Sequence, residues 1–263
     1  MKGVRLLWER FSDWLVRASG LILFLAAWEA VPRLKLIRSV LLSPPSKVAR
    51  AFISLAVRGE LYKHFSISLQ RVVIGLLLSV LVGVLGGLLL ACFRRAEKCL
   101  DLLFQFFRQM SAFALFPVFI LFFGLGELSK TIIIFWASFW PVLLNTSSGI
   151  KNVDPVLIKS AYSMGASRGF IFRRVILPAA APQIFTGIRL GGSYCVMAVV
   201  AAEMIGATAG LGYLVLYSQE TFNIAEMYAG IVGLAFLGLG LNWVLQRIES
   251  YFTSWQEGQK LRS

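Results

Sequence analysis

Six stretches of this chain are apolar over the length that a bilayer crossing demands, and nothing else in the sequence constrains the fold as strongly. They run Leu15–Val31, Ile67–Phe93, Leu102–Phe123, Thr131–Ile150, Ile184–Ala207 and Met227–Gln246. A hydrocarbon core about 30 Å thick takes about 20 helical residues at 1.5 Å of rise each. Lipid cannot satisfy backbone N–H and C=O groups, and these runs are continuous rather than alternating, so helices are expected and barrel strands are not. The expected fold class is an all-α integral membrane protein with six transmembrane helices. One membrane domain, residues 15–246, lies between a short N-terminal segment, 1–14, and a tail, 247–263.

Composition agrees. Hydrophobic residues make up 58% of the chain and charged ones 15%, with a mean hydropathy of +0.76; a soluble domain carries about 25% charged residues, so an ordinary cytosolic enzyme is excluded. Abundant aromatic and β-branched residues exclude disorder. The net charge of +13 would suggest nucleic acid in a soluble protein. In a membrane protein it is the basic excess that holds loops on the cytoplasmic side, so lipid is the expected partner and nucleic acid is not. With the N-terminus inside, inner segments carry 15 Lys and Arg and outer segments 8, which places both termini in the cytoplasm. Seven basic residues between Arg33 and Lys63 run against that rule; the outer loop 208–226 has none. Basic residues ahead of Gly20–Val31 resemble a signal peptide, but Glu29 interrupts the run and no small-residue cleavage site precedes Pro32. An uncleaved first membrane helix is expected.

Chemistry-bearing motifs are scarce. Cys92, Cys99 and Cys195 form no C-x-x-C pair and His64 is the single histidine, so no metal site, disulfide framework or cofactor is expected. No nucleophile motif or acid–base pair stands out, so no catalytic residue is named. The phosphate-cradling pattern G-x-x-x-x-G-K-[ST] is absent; ATP-driven work would require hydrolysis on another polypeptide.

Within the spans, Gly83, Gly86 and Gly87, then Gly187 and Gly191, then Gly230, Gly233, Gly238 and Gly240 provide small-residue faces. These suit close helix packing within one subunit, with subunit contacts or a pathway lining as the alternative. Pro117 and Pro141 are expected to bend spans three and four. Charge at the bilayer centre is costly and turns to a partner or a cavity. Glu203 and Arg189, fourteen residues apart on one helix, are about 21 Å from each other and cannot pair. Arg71 can reach Glu203 or snorkel to headgroups. A structural ion pair is the simpler reading of Glu203 and Arg189, an anion pathway the sharper one. Asn145, with Thr146, Ser147 and Ser148, serves either helix packing or a wet cavity. His64 reads as a surface residue at a span entrance, without a role.

The segment 151–183 does not belong in lipid. Asp154 can cap a helix that starts at Pro155, and Leu157, Ile158, Ala161 and Met164 recur on one face. Gly165 permits a turn. Ser167 can cap a second short helix with Ile171, Phe172 and Val175 on one side, which Pro178 ends. Membrane surface or a groove on a soluble partner can cover these faces, and the residues alone do not choose.

Gly165-Ala166-Ser167, Phe172, Val175, Leu177-Pro178, Ala180, Pro182, Gly187 and Arg189 resemble the EAA loop of the inner-membrane permease subunits of binding-protein-dependent ABC importers. Further matches extend from about Leu42 to Gln246. They include Leu42-Ser43-Pro44-Pro45-Ser46, Ser68-Leu69 with Arg71, Phe123 to Lys130, Asn145-Thr146, Val153-Asp154-Pro155, Ala202-Glu203 and Gly210-Leu211-Gly212-Tyr213. This set is similar to the nitrate, sulfonate and taurine branch. The resemblance implies a bacterial inner-membrane permease that carries a small anion. A second, identical copy, a cytoplasmic ABC ATPase dimer and an extracytoplasmic solute-binding protein are its implied partners. It also implies that Lys159, Ser160, Ala161, Met164, Gly165, Ala166, Ser167, Ile171, Phe172, Val175 and Pro178 form the coupling region. Asn145, Arg189 and Glu203 are candidates for the pathway. Two departures stand out: Lys159-Ser160-Ala161 replaces Glu-Ala-Ala, reversing a charge, and Val196 stands where an aromatic is common. A stand-alone channel or secondary transporter is the competing class; against it, Glu203 is the one candidate intramembrane acid and no pair of interrupted spans is evident.

Overall fold

A computed structural model describes residues 19–20, 22–34 and 41–260. Residues 22–33 are helical. The helices that follow are α1 (Pro45–Val57), α2 (Glu60–Cys92), α3 (Arg94–Gln109), α4 (Ala112–Phe123), α5 (Glu127–Lys151) and α6 (Pro155–Ser163). Then come α7 (Arg168–Met204), α8 (Leu211–Glu220) and α9 (Ile224–Lys260). The all-helical expectation is met.

The span count needs correction. Among the described residues four helices are long and apolar enough to cross: α2, α5, α7 and Ile224–Thr253 of α9. The stretch Leu102–Phe123, expected as one span, is divided: Lys98–Gln109 and Ala112–Phe123 are bent by 96° and make a fifth span only if taken together. The bend is not at Pro117, which sits inside α4, but at Met110 and Ser111, both extended (ψ 125° and 128°). Lys98, Asp101, Gln105 and Arg108 recur at three- and four-residue spacing and give α3 a polar stripe, so it is an amphipathic helix rather than half of a lipid-facing one. Of the expected first span Leu15–Val31, residues 15–18 and 21 lie outside the described residues, as does the segment 1–14.

The chain divides into two compact units. One comprises the chain up to Tyr62 together with Leu214–Val232. In it Glu29 clamps the start of α1, accepting from Ser46 N at 2.9 Å and Ser46 Oγ at 2.7 Å. Arg58 donates to Glu226 at 2.8 Å.

The other unit comprises Lys63–Tyr213 and Gly233 onward, and α5 is its central helix. Glycines let α2 and α7 approach it from two sides. A Cβ on Gly83 would stand 2.9 Å from Val142 Cγ1, and one on Gly87 2.6 Å from Thr146 Cβ. On α7, a Cβ on Gly187 would stand 2.6 Å from Asn145 Cβ. The glycine rows at 83–87 and 187–191 thus serve packing within the chain. Buried hydroxyls add to the α2–α5 seam: Ser79 contacts Ser138 and donates to Phe135 O at 3.0 Å.

Pro178 does not end a helix. The backbone stays helical from Arg168 to Met204 because Phe172–Ile176 widens into a π turn, with Leu177 N donating to Phe172 O. The wide turn falls just ahead of the proline, which lacks an N–H for the ladder.

Candidate functional site

Three features of the α2–α5–α7 unit are candidates for function. The first is the segment between α5 and α7. Asp154 Oδ1 accepts from Val156 N at 2.8 Å and Ser167 Oγ from Phe170 N at 3.4 Å, the two expected caps. Gly165 takes φ 77°, and Ala166 N reaches back to Ala161 O at 3.1 Å, closing α6 with a left-handed glycine cap. Val153, Ala180 and Ile184 are buried, with Ile158, Ile176 and Leu177 packed around them. That cluster fixes the segment to the ends of α5 and α7.

The outward surface differs from the expected one. Met164 is 81% exposed, Val156 64% and Phe170 55%, and Leu157 is exposed beside Lys159, Ser160, Gly165 and Ser167. Ala161 and Ile171 are instead buried, Ile171 to 2%, so they brace the segment from within and are not available for contact. Ala166, Phe172, Val175 and Pro178 are half-buried. Single-face periodicity could not separate the two sides because α6 is only nine residues long and carries apolar residues on both.

The second feature is an ion-pair cluster. Arg71 on α2 grips Glu127 at the start of α5 with two bonds, Nε to Oε2 at 2.7 Å and Nη2 to Oε1 at 2.6 Å. Its Nη1 donates to Glu203 Oε1 at 2.8 Å and to Ala209 O at 2.7 Å. Lys130 adds a bond to Glu127 at 2.9 Å. Glu203, fully buried, also accepts from Ser68 Oγ at 2.8 Å and Gly212 N at 2.9 Å. Two cations and two carboxylates leave the cluster neutral, which suits a low-dielectric setting better than a lone charge. Nearby, His64 corrects its sequence reading: its Nδ1 accepts from Gly210 N at 3.0 Å, and its ring stacks on Tyr213. Of the alternatives left open for Arg71, the ion pair with Glu203 is the one observed.

The third feature is a cavity of about 560 Å³ where α3 and α4 break beside α5 and α7. Arg108, Ser111 and Phe113 border it from the break, Trp136, Trp140 and Asn145 from α5, Tyr194 and Met197 from α7. Asn145 is held there, donating to Pro141 O and accepting from Gln183 Nε2, each at 2.8 Å. It is the one pathway candidate on this cavity. Arg189 instead borders a smaller cavity of about 200 Å³ and donates to Glu249 at 3.0 Å. Glu203 is committed to the ion-pair cluster. Sequence reasoning did not single out Arg108, Trp136 or Trp140; the available signal was an arginine within an apolar run.

Comparison with known proteins gives a consistent answer. Residues 75–256 match the family described as "Binding-protein-dependent transport system inner membrane component". The chain is 33% identical over 240 residues to the taurine transport system permease protein TauC of Escherichia coli (strain K12), covering 89% of this chain and 87% of that one. It is 32% identical over 240 residues to the putative aliphatic sulfonates transport permease protein SsuC of Bacillus subtilis (strain 168), covering 90% and 87%. Among solved structures, an inward-facing form of the MetNI methionine ABC transporter superposes with a TM-score of 0.66 at 18% identity, covering 75% of this chain and 98% of that one.

Proposed function

Since the chain belongs to the family of binding-protein-dependent transport system inner membrane components, we propose that it is the translocation subunit of an ATP-driven importer for a small organic sulfonate such as taurine. A separate ATPase and a solute-binding protein are its partners. Two identical copies enclose the pathway, with both termini and the segment 154–176 on the cytoplasmic side. The substrate class rests on the relatives named for taurine and aliphatic sulfonates.

The observation that carries this reading is the exposure of Met164, Val156, Leu157 and Phe170 on a capped helix–turn–helix that the chain itself leaves uncovered. An apolar face of this kind suits the groove of a soluble partner. Lys159, Ser160, Ala166 and Ser167 flank the contact, Gly165 shapes its turn, and Ala161, Ile171, Phe172, Val175 and Pro178 support it from behind. ATP-driven closure of the partner would move this segment and tilt α5 and α7 between inward- and outward-open arrangements.

The test is co-purification and uptake in membranes that hold the permease with its ATPase. Met164→Glu with Phe170→Glu should release the ATPase and abolish uptake while the permease stays monodisperse. An ATPase that remains bound, with uptake intact, refutes the docking role.

A further inference from the structure

We propose that the cavity at the α3–α4 break holds the anionic head group of the transported solute inside the membrane. Arg108, the opening N–H groups of α4 and the indole N–H groups of Trp136 and Trp140 would face the charge, and Phe113, Tyr194 and Met197 the apolar body. The inference rests on the proposed function, which supplies a small organic anion, and adds the place where it is held.

Four independent observations converge there. First, α4 is 12 residues long, so the break lies about 18 Å from the Gly124 turn along that helix. Irregular backbone within a membrane-spanning segment is tolerated where it lines a cavity, and this break borders one. Second, Ser111 makes no side-chain bond to the first turn of α4. Ser111 therefore does not cap that turn, whose N–H groups form the positive end of the helix, where an anion is favoured, and Ala112 and Phe113 both border the cavity. Third, Arg108 is the one charged residue of the lining among the described residues, so the lining carries a net positive charge. Fourth, Trp140 is 7% exposed, and its indole N–H and that of Trp136 are buried without a hydrogen-bond partner. Buried donors lacking an acceptor point to an acceptor from outside the chain. The volume of about 560 Å³ lies in the range of small-molecule sites, and so does the balance of aromatic wall and few polar groups.

Saturation-transfer NMR with butanesulfonate tests the site on the permease–ATPase complex in nanodiscs, because it detects weak binding directly. The parental complex should transfer saturation to the butyl protons. Arg108→Gln should reduce the signal at least tenfold, and Arg108→Lys, which keeps the charge, should retain part of it. Arg50→Gln, on the exposed face of α1, should match the parental complex. Butanol, equal in chain length but uncharged, should give no signal. Equal signals from Arg108→Gln and the parental complex, a butanol signal matching butanesulfonate, or no signal from a parental complex that transports would each overturn the site. If the ATPase does not travel with this chain, the proposed function fails whatever the spectra show. If the complex forms and imports while Arg108→Gln binds normally, the site alone fails.

Discussion

Arg71 Nη1 lies 2.8 Å from Glu203 Oε1 although 132 residues separate them, and both side chains are withdrawn from solvent, at 6% and 0% exposure. Glu203→Gln removes the buried charge that faces Arg71 and leaves the guanidinium with Glu127 as its one carboxylate partner. Breaking a buried pair from one side costs about 3–5 kcal/mol. Thermal unfolding of the detergent-purified permease should therefore show a clear loss for Glu203→Gln and for Arg71→Gln. The double variant should lose less than the sum of the two, since these residues share one network. Strict additivity would show that the two do not interact.

Gly87 and Gly240 predict opposite outcomes for the same substitution. A Cβ at Gly87 would meet Thr146 Cβ at 2.6 Å and the Leu143 carbonyl at 2.8 Å, and a backbone oxygen cannot rotate away. Gly87→Ala should destabilise by about 1–3 kcal/mol through overpacking. Gly240 has nothing within 4 Å, so Gly240→Ala should be neutral or stabilise by up to about 1 kcal/mol from helix propensity. Melting temperatures of the two purified variants decide the matter.

Gly165 is constrained by its backbone and not by space: φ is 77° and a Cβ would meet nothing within 4 Å. Gly165→Val should cost about 1–2 kcal/mol locally, with Gly165→Asn milder because asparagine tolerates the left-handed region. The expected readout is weaker ATPase co-purification with unchanged melting of the helical bundle.

Met164 and Ile171 separate contact from support. Ile171→Ala empties a fully packed position and should lower stability by about 2–5 kcal/mol. Met164→Ala removes an 81% exposed side chain and should leave stability within about 0.5 kcal/mol while uptake falls. Matching stability losses for both would place Met164 inside the fold.

Local chemistry was legible where a few neighbouring residues decide the structure. Asp154 with Pro155, the Gly165 turn and the Ser167 cap all follow from short-range rules, as do the apolar lengths of α2, α5, α7 and α9. The α3–α4 break was hidden because hydropathy summed over 102–123 averages across two helices of different character. The spacing of Lys98, Asp101, Gln105 and Arg108 was the readable signal. Pro178 misled because a proline's lost N–H is a stop signal only if the ladder keeps its register, and the π turn ahead of it changes that register. The choice between Glu203 and headgroups for Arg71, its second partner Glu127 and the burial of Ile171 depend on which helices meet, information that no local pattern contains.

The uninterrupted run of α7 has a mechanical consequence. Arg168, beside the exposed Phe170, and Tyr194, on the cavity wall, belong to one rod and lie about 39 Å apart along it. No loop separates them, so a displacement at the Arg168 end is carried toward Tyr194 along continuous helix. The widened turn at Phe172–Ile176 lies close to the Arg168 end, so a small twist there is delivered over a long lever arm.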